Sequence, residues 1–210
     1  MPNEFDRDRT RPITERRRRR MIDVLERRQP DLTVVIEDVH DPHNVSAVLR
    51  SCEAVGIPVV HLVYTTEERP SLSRLSSASA VKWLDVRFHR DIDAAYAELR
   101  RQGFTIYATH FDPDAGDLYS LDLTGPVALV FGNEQRGVSE DARQGADGGL
   151  VIPMMGMVRS LNISVACAVS LYEALRQRRA AGGYLRPKLP PDQIDAQLRS
   201  WLEREHRTPD

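Results

Sequence analysis

Apolar and polar residues follow each other along the chain in blocks that predict strands and helices in alternation. The predicted buried strands are continuous apolar runs at residues 33–39, 58–63, 83–88, 104–109, 127–131 and 150–152. The predicted helices, with apolar residues at helical spacing, lie at residues 44–55, 91–102 and 161–178. Continuous apolar strands separated by helices are typical of a parallel sheet covered on both faces, so the expected fold class is an open α/β sheet.

Two further amphipathic helices are predicted on the flanks of this core. Thr14 can cap a helix over about 15–28, but its apolar stripe is too narrow for an independent core, so it must dock on something. A C-terminal helix over about 192–204 follows a Pro-rich connector and has its own docking face. The predicted organisation is therefore a basic N-terminal arm and helix (1–30), a central domain (31–180), and a connector with a C-terminal helix (181–210).

Composition restricts the class of protein. The 210 residues suffice for one domain with extensions, and 41% of them are hydrophobic, which is ordinary for a water-soluble core. No apolar run approaches the length of a membrane span, and a cytoplasmic protein is expected. Cys52 and Cys167 lie in apolar helical stretches and are expected to be buried free thiols. His40 and His43 are interpreted as polar loop residues, the other four histidines form no pattern, and no metal is implied.

The net charge of −2 conceals two basic blocks. Residues 7–28 contain ten arginines against four acids, and five of these arginines are consecutive, Arg16 to Arg20. Residues 174–188 contain five basic residues, among them Arg176 and Arg179, and no acid. Basic helical faces are often merely solvated, but an arginine run of this length indicates a polyanionic partner such as a nucleic acid.

Three segments carry candidate chemistry, each following a predicted strand. One runs from Ile152 to Ala168 and reads Ile-Pro-Met-Met-Gly-Met-Val-Arg-Ser-Leu-Asn-Ile-Ser-Val-Ala-Cys-Ala, a methionine-rich loop that opens into a helix. Another is Gly-x-Glu-x-x-Gly, from Gly132 to Gly137. The third is Asn-Val-Ser-Ala-Val-Leu-Arg, from Asn44 to Arg50. A soft apolar loop with a glycine suits a flat apolar ligand close to the backbone.

In their order along the chain, the three segments resemble those of the SPOUT RNA 2′-O-methyltransferases over about residues 31–180. The flanks resemble those of the TrmH subgroup, which methylates the 2′-hydroxyl of guanosine 18 in tRNA. This resemblance implies a C-terminal trefoil knot, which sequence rules alone would not propose. It also implies S-adenosylmethionine as cofactor, tRNA as partner, and a homodimer with active sites at the subunit interface.

The resemblance also implies residue roles. Thr109, Gly132, Ile152 and Leu161 would bind the cofactor largely through backbone groups, and Met155 and Met157 would complete an adenine slot. The implied catalytic set is Arg50, Asn44, Glu134, Ser160 and Asn162. We expect Arg50 to clamp a substrate phosphate and stabilise the developing alkoxide, because a guanidinium is almost never deprotonated. Asn44 would position the ribose or the cofactor, and Glu134 would hold the loop or the basic partner. Ser160 would orient Arg50, and Asn162 would fix the cofactor or its loop.

Simpler interpretations remain open for single residues. Asn44 could be only a helix cap, Arg50 a surface arginine and Glu134 a capping acid. Rival functions are methylation of ribosomal RNA or of another tRNA position, a non-catalytic RNA-binding module, and a generic nucleotide-binding α/β protein. The last lacks support because Val-His-Asp-Pro, not a glycine-rich phosphate loop, follows the first strand at residues 39–42. About 30 residues precede that strand, fewer than the separate RNA-binding domain usual in the ribosomal RNA enzymes.

Overall fold

The computed structural model describes residues 13–69, 79–113 and 115–206, and a seven-stranded parallel sheet forms their centre. The strands are β1 (Leu32–Glu37), β2 (Val59–Val63), β3 (Asp85–His89), β4 (Thr105–Thr109), β5 (Gly116–Asp117), β6 (Val127–Phe131) and β7 (Gly148–Val151). The helices are α1 (Glu15–Leu25), α2 (Pro42–Val55), α3 (Ile92–Arg101), α4 (Glu140–Gly145), α5 (Ile163–Ala180) and α6 (Pro191–His206). The strand order is β3-β2-β1-β6-β4-β7-β5, with every neighbouring pair parallel.

Helices cover both faces of the sheet, which confirms the predicted α/β class. Residues of β1 alternate between two cores: Val34 and Ile36 pack with α2 and α5, whereas Val35 packs with α3 and α4. This alternation explains why β1 reads as a continuous apolar run, since both of its faces are buried. The trefoil knot implied by the resemblance stays a prediction.

The two flanking helices dock on each other. Met21 and Leu25 of α1 form a buried cluster with Leu198 and Trp201 of α6, as the two apolar stripes in the sequence predict. Arg28 fixes the end of this pair to the sheet, because its guanidinium donates to the carbonyls of Ile57 at 2.7 Å and Trp83 at 2.9 Å.

Several predicted boundaries are wrong for local reasons. The helix expected to open at Asn44 begins two residues earlier, because Asp41 caps it by accepting from the His43 N–H at 2.8 Å. The strand expected from Trp83 begins at Asp85, since Ser79–Trp83 forms a 3-10 turn. The six-residue α4 and the two-residue β5 were not predicted, because such short elements have no periodicity. Parts of the predicted N-terminal arm and of the predicted loop at 64–80 lie outside the described residues.

The C-terminal basic block partly serves the fold. Arg178 is 1% exposed and its Nη1 lies 2.6 Å from Oδ1 of Asp31, whose Oδ2 lies 2.6 Å from Nζ of Lys188. These two charges are thus engaged inside the protein, and the prediction that the whole block faces a polyanion is corrected accordingly. Arg176 and Arg179 are exposed on α5.

The structure confirms the prediction for the two cysteines and contradicts the interpretation of two of the histidines. Cys52 and Cys167 are buried and free, as predicted. The interpretation that His61 and His89 form no pattern is wrong, because Nδ1 of His61 lies 2.8 Å from Nε2 of His89. The parallel pairing of β2 with β3 brings these two histidines together, and their distance along the chain conceals this contact in the sequence.

Among the described residues, no helix is long and apolar enough to cross a membrane.

Candidate active site

A cavity of about 440 Å³ opens beyond the carboxyl ends of β4, β6 and β7. Ligands of open parallel sheets bind at this edge, because the loops that follow the strands converge there. The cavity wall includes Thr109, Gly132, Ile152 and Leu161, four of the six residues assigned to the cofactor by the resemblance. The catalytic candidates Glu134 and Ser160 also line it.

A tight turn after β6 forms one wall of the cavity. The N–H of Gly137 donates to the carbonyl of Asn133 at 2.8 Å, and Gly137 has a φ of 72°, which favours glycine. The side-chain carbonyl of Asn133 accepts from the N–H groups of Gln135 at 2.9 Å and Arg136 at 3.2 Å. Hydrogen bonds within the turn therefore stabilise it, and its backbone faces the cavity at Gly132.

Glu134 joins this turn to the start of α2. Its Oε1 accepts from Nδ2 of Asn44 at 2.9 Å and from the N–H of Asp41 at 3.4 Å, and its Oε2 accepts from the N–H of His40 at 3.3 Å. Nδ2 of Asn162, the N-cap of α5, donates to Oδ1 of Asn44 at 3.1 Å. The structure thus brings three of the five catalytic candidates into one hydrogen-bonded chain.

The surroundings of Glu134 favour the ionised form of its side chain over the protonated form. Burial would raise its pKa, but the hydrogen bonds from Asn44 and from the backbone N–H groups, including those of His40 and Asp41, lower the pKa below its usual value. A carboxylate whose oxygens already accept several hydrogen bonds is a weak base. The geometry therefore suits Glu134 to hold the loop before α2 rather than to accept a proton.

Asp38, directly after β1, supports the same region and was missed from sequence. It has a left-handed φ of 49°, and its backbone carbonyl accepts from Nδ2 of Asn133 at 2.8 Å. Burial would raise the pKa of its carboxyl, but hydrogen bonds from Thr65, Glu67 and Thr66 lower it to about 2. A left-handed φ outside glycine is uncommon and is kept only where neighbours enforce it. The sequence feature that could identify Asp38 is an acidic residue placed directly after an apolar strand.

Other candidates do not converge on the cavity. Met155 and Met157 are 94% and 99% exposed, and Met154 lines the wall, so the single chain does not place these two side chains at the cavity and their role in an adenine slot stays a prediction. The loop turns these two side chains outward within the single chain. Arg50 is exposed on α2 and lies outside the cavity lining, as does Asn44.

The rim of the cavity is polar and was not predicted. Nη1 of Arg143 lies 2.5 Å from Oδ2 of Asp112, and Nη2 of Arg136 lies 3.0 Å from Oε1 of Glu67. Arg159 also lines the cavity. Arg143 lies on α4 and the others lie on separate loops, so no single motif in the sequence identifies them.

Comparison with known proteins identifies the family. Residues 31–172 match the SpoU rRNA Methylase family, which is more than half of the chain. The chain belongs to the SpoU rRNA methylase family. It is 51% identical over 191 residues to the tRNA (guanosine(18)-2′-O)-methyltransferase of Thermus thermophilus, an alignment that covers 91% of this chain and 98% of that one.

Solved structures of this family agree. The A. aeolicus TrmH/SpoU tRNA modifying enzyme has a TM-score of 0.82 at 36% identity and covers 91% of this chain and 97% of its own. The SpoU methyltransferase AviRb from Streptomyces viridochromogenes, in complex with the cofactor AdoMet, has a TM-score of 0.65 at 27% identity, covering 75% of this chain and 62% of its own. The predicted SPOUT-type fold class is thereby confirmed.

Proposed function

We propose that this chain acts in the cytoplasm and transfers a methyl group from S-adenosylmethionine to the ribose 2′-hydroxyl of guanosine 18 in the D-loop of tRNA. The observation that carries the proposal is the similarity to the Thermus thermophilus enzyme. It spans 98% of that enzyme and extends beyond residues 31–172, so it includes flanking sequence as well as the central domain. Residues 31–180 would form the catalytic domain, and the two flanks would contact RNA.

The cavity suits the cofactor in size and chemistry. Its volume of about 440 Å³ lies in the range of small-molecule sites. Leu150, Ile152 and Ile163 contribute apolar wall to it, while Gly132 and Leu161 bring backbone close to the space. An adenosine group needs such an apolar slot with polar backbone groups at its edge.

The chemistry requires an activated ribose hydroxyl aligned with an electrophilic methyl group, which S-adenosylmethionine supplies when bound. Arg50 would bind a neighbouring phosphate of the RNA bidentately and stabilise the negative charge that develops on the 2′-oxygen. Glu134 and Asn44 would hold the start of α2, and thereby the helix that carries Arg50. Ser160, at the cavity, would orient the arginine side chain.

A homodimer with shared active sites is part of the proposal. Met155, Met157 and Val158 are exposed beside the cavity, and Val165 and Tyr172 are exposed one above the other on α5. Exposed apolar groups in this number are typical of an interaction surface. If this surface joins two copies, the exposed Arg50 of one chain would serve the cavity of the other.

The function is tested by mapping the methylated nucleotide. Unmodified tRNA is incubated with the protein and S-adenosylmethionine, and then hydrolysed in alkali. A 2′-O-methyl group removes the attacking hydroxyl, so we expect a single gap in the ladder at guanosine 18. Transcripts with adenosine at this position, and 23S ribosomal RNA, serve as comparison substrates. A gap elsewhere in tRNA, or methylation of ribosomal RNA alone, would contradict the assignment.

The arginine run should govern RNA binding through charge. Arg17 pairs with Glu205 at 3.3 Å and Arg19 with Glu15 at 3.2 Å, so the remaining Arg16, Arg18 and Arg20 are better targets for replacement by glutamine. We expect weaker tRNA binding, and a slope of log affinity against log salt that is shallower by about 0.7–0.9 for each RNA phosphate that the variant no longer neutralises.

Fluorescence titration of labelled tRNA at several salt concentrations measures this slope. A control that removes the same number of charges replaces three exposed arginines outside the two basic blocks, Arg69, Arg90 and Arg101, by glutamine. Equal slopes for the two triple variants would show that the run on α1 is merely a solvated face.

Asn162 should affect the cofactor more than the RNA. Its Oδ1 accepts from the N–H of Ser164 at 2.8 Å, and its Nδ2 donates to Asn44. Asn162→Ala should weaken S-adenosylmethionine binding by up to about tenfold, because the loosened loop should cost the cofactor about one hydrogen bond, roughly 0.5–1.5 kcal/mol.

Calorimetric titration measures the cofactor affinity of each variant. Asn162→Ser keeps a cap on α5 but removes the link to Asn44, so it separates the two contributions. Unchanged cofactor affinity in Asn162→Ala, together with weaker tRNA binding, would place Asn162 in the RNA site instead.

A further inference from the structure

We propose that His61, His89 and Glu98 form a binding site for one zinc ion that braces the β3 edge of the sheet. The ligand atoms of these three residues all lie within 4.8 Å of one another. His61 is on β2, His89 on β3 and Glu98 on α3, so an ion bound there would tie three separate elements together. None of the three lines the cavity of the candidate active site.

The site follows from the register of the strands. His61 pairs with Arg87 and Val63 with His89, so these four side chains share the face of the sheet that α3 covers. Next to the β3 edge, the side chains on this face are polar rather than apolar and include His61, His89 and Arg87. His61 is 2% exposed, whereas His89 and Glu98 are partly exposed, so an ion could enter from the edge.

The imidazoles of His61 and His89 are in the neutral form that can bind a metal ion. Burial, and then the charge of His89, lowers the pKa of His61 to about 4, and burial also lowers the pKa of His89. Both rings are therefore neutral near pH 7, which is the form that binds metal. Their facing nitrogens are 2.8 Å apart, and two ligands on a tetrahedral zinc at about 2.0–2.1 Å stand roughly 3.3 Å apart. Zinc would therefore replace the hydrogen bond between the two rings and widen this separation by about half an ångström.

The carboxylate is already oriented. Nη1 of Arg87 lies 2.5 Å from Oε1 of Glu98, and Nε2 of Gln102 lies 3.2 Å from the same atom. Both donors bind Oε1, which leaves Oε2 as the oxygen that can face the histidines. Groups that fix a ligating carboxylate in this way strengthen metal binding.

The donor set selects the metal. Two imidazoles and one carboxylate are typical of zinc, whereas magnesium and calcium prefer oxygen ligands. The positive charge of Arg87 faces the site, but Asp85 and Asp91 also face it and Asp85 binds the guanidinium at 2.9 Å. Asp91 also pairs with Arg90 at 2.9 Å, so the two aspartates offset the two arginines, and Glu98 supplies the negative charge that faces the ion. A water would take its fourth position.

Metal titration tests the site. Protein treated with a chelator is dialysed into metal-free buffer and then titrated with zinc by calorimetry, in parallel with His89→Gln and Glu98→Gln, which alter partly exposed side chains. We expect one zinc per chain in the wild type, binding at least tenfold weaker in both variants, and a higher Tm with zinc for the wild type only. His43→Gln, at an exposed histidine outside the cluster, should bind zinc as the wild type does.

Cobalt separates this site from the thiols of Cys52 and Cys167. Cobalt bound by nitrogen and oxygen gives weak visible bands, whereas thiolate ligands add an intense near-ultraviolet charge-transfer band. A thiolate band would overturn the proposal. So would the absence of zinc binding in the wild type, or equal zinc affinity in wild type, His89→Gln and Glu98→Gln.

Discussion

Replacement of Gly132 by alanine should abolish cofactor binding and methyl transfer. A Cβ atom at this position would lie 2.1 Å from the carbonyl oxygen of Gly137 and 2.2 Å from the backbone nitrogen of Val138. Both obstacles are backbone, so the turn after β6 must open and break the 2.8 Å hydrogen bond from Gly137 to Asn133. A shift of about 1 Å in a site that positions reacting atoms can reduce the rate roughly a hundredfold.

Calorimetry with S-adenosylmethionine and a methylation assay measure the two effects. Gly125→Ala is the matched control, because nothing lies within 4 Å of a Cβ at that position. It should bind cofactor as the wild type does. Normal cofactor affinity in Gly132→Ala, with a normal Tm, would show that the turn does not form the cofactor site.

The layers of the fold could be predicted from sequence because they follow from local patterns. The continuous apolar run at Val34–Ile36 predicts a strand buried on both faces, and that is its environment. The stripes on α1 and α6 predict docking faces, and they dock on each other. The order of strands in the sheet could not be predicted, since it depends on which loops cross over.

Residues of the site were predictable where a motif lies on one loop and unpredictable where contacts are long-range. Gly132, Ile152 and Leu161 follow strands and line the cavity as expected. Met155 and Met157 belong to the same motif, but the direction of a loop side chain depends on the fold around it. A contact such as that of Asn133 with Asp38, 95 positions apart, leaves no trace in a single sequence.

The hydrogen bonds of Glu134 give the site a specific organisation. This carboxylate joins the cavity turn to the backbone at His40 and Asp41, the residues that lead into α2. Asn44, inside α2, adds a contact to the cap of α5. We therefore expect Glu134 to act by holding these segments in place, and we propose that Arg50 supplies the charge that stabilises the 2′-oxygen.

Arg50→Ala should reduce the methylation rate by about 10²- to 10³-fold, the usual effect of removing a group that stabilises developing negative charge. Cofactor affinity should remain near that of the wild type, because Arg50 lies outside the cavity lining. Arg50→Lys keeps the charge but cannot bind phosphate bidentately, so it should restore only part of the rate. Single-turnover kinetics on tRNA, with calorimetry for the cofactor, measure these changes. A near-normal rate in Arg50→Ala would show that this residue is a surface arginine.

Mixing two inactive variants tests where Arg50 acts. If Arg50 serves the cavity of the partner chain, a dimer of one Arg50→Ala chain and one Gly132→Ala chain has one complete site. Its intact cavity lies in the Arg50→Ala chain, and its arginine comes from the Gly132→Ala chain. The mixture should then regain activity that neither variant has alone. If Arg50 instead acts within its own chain, both sites of the mixed dimer are defective, and co-purified mixed dimers without activity would contradict a site shared between subunits.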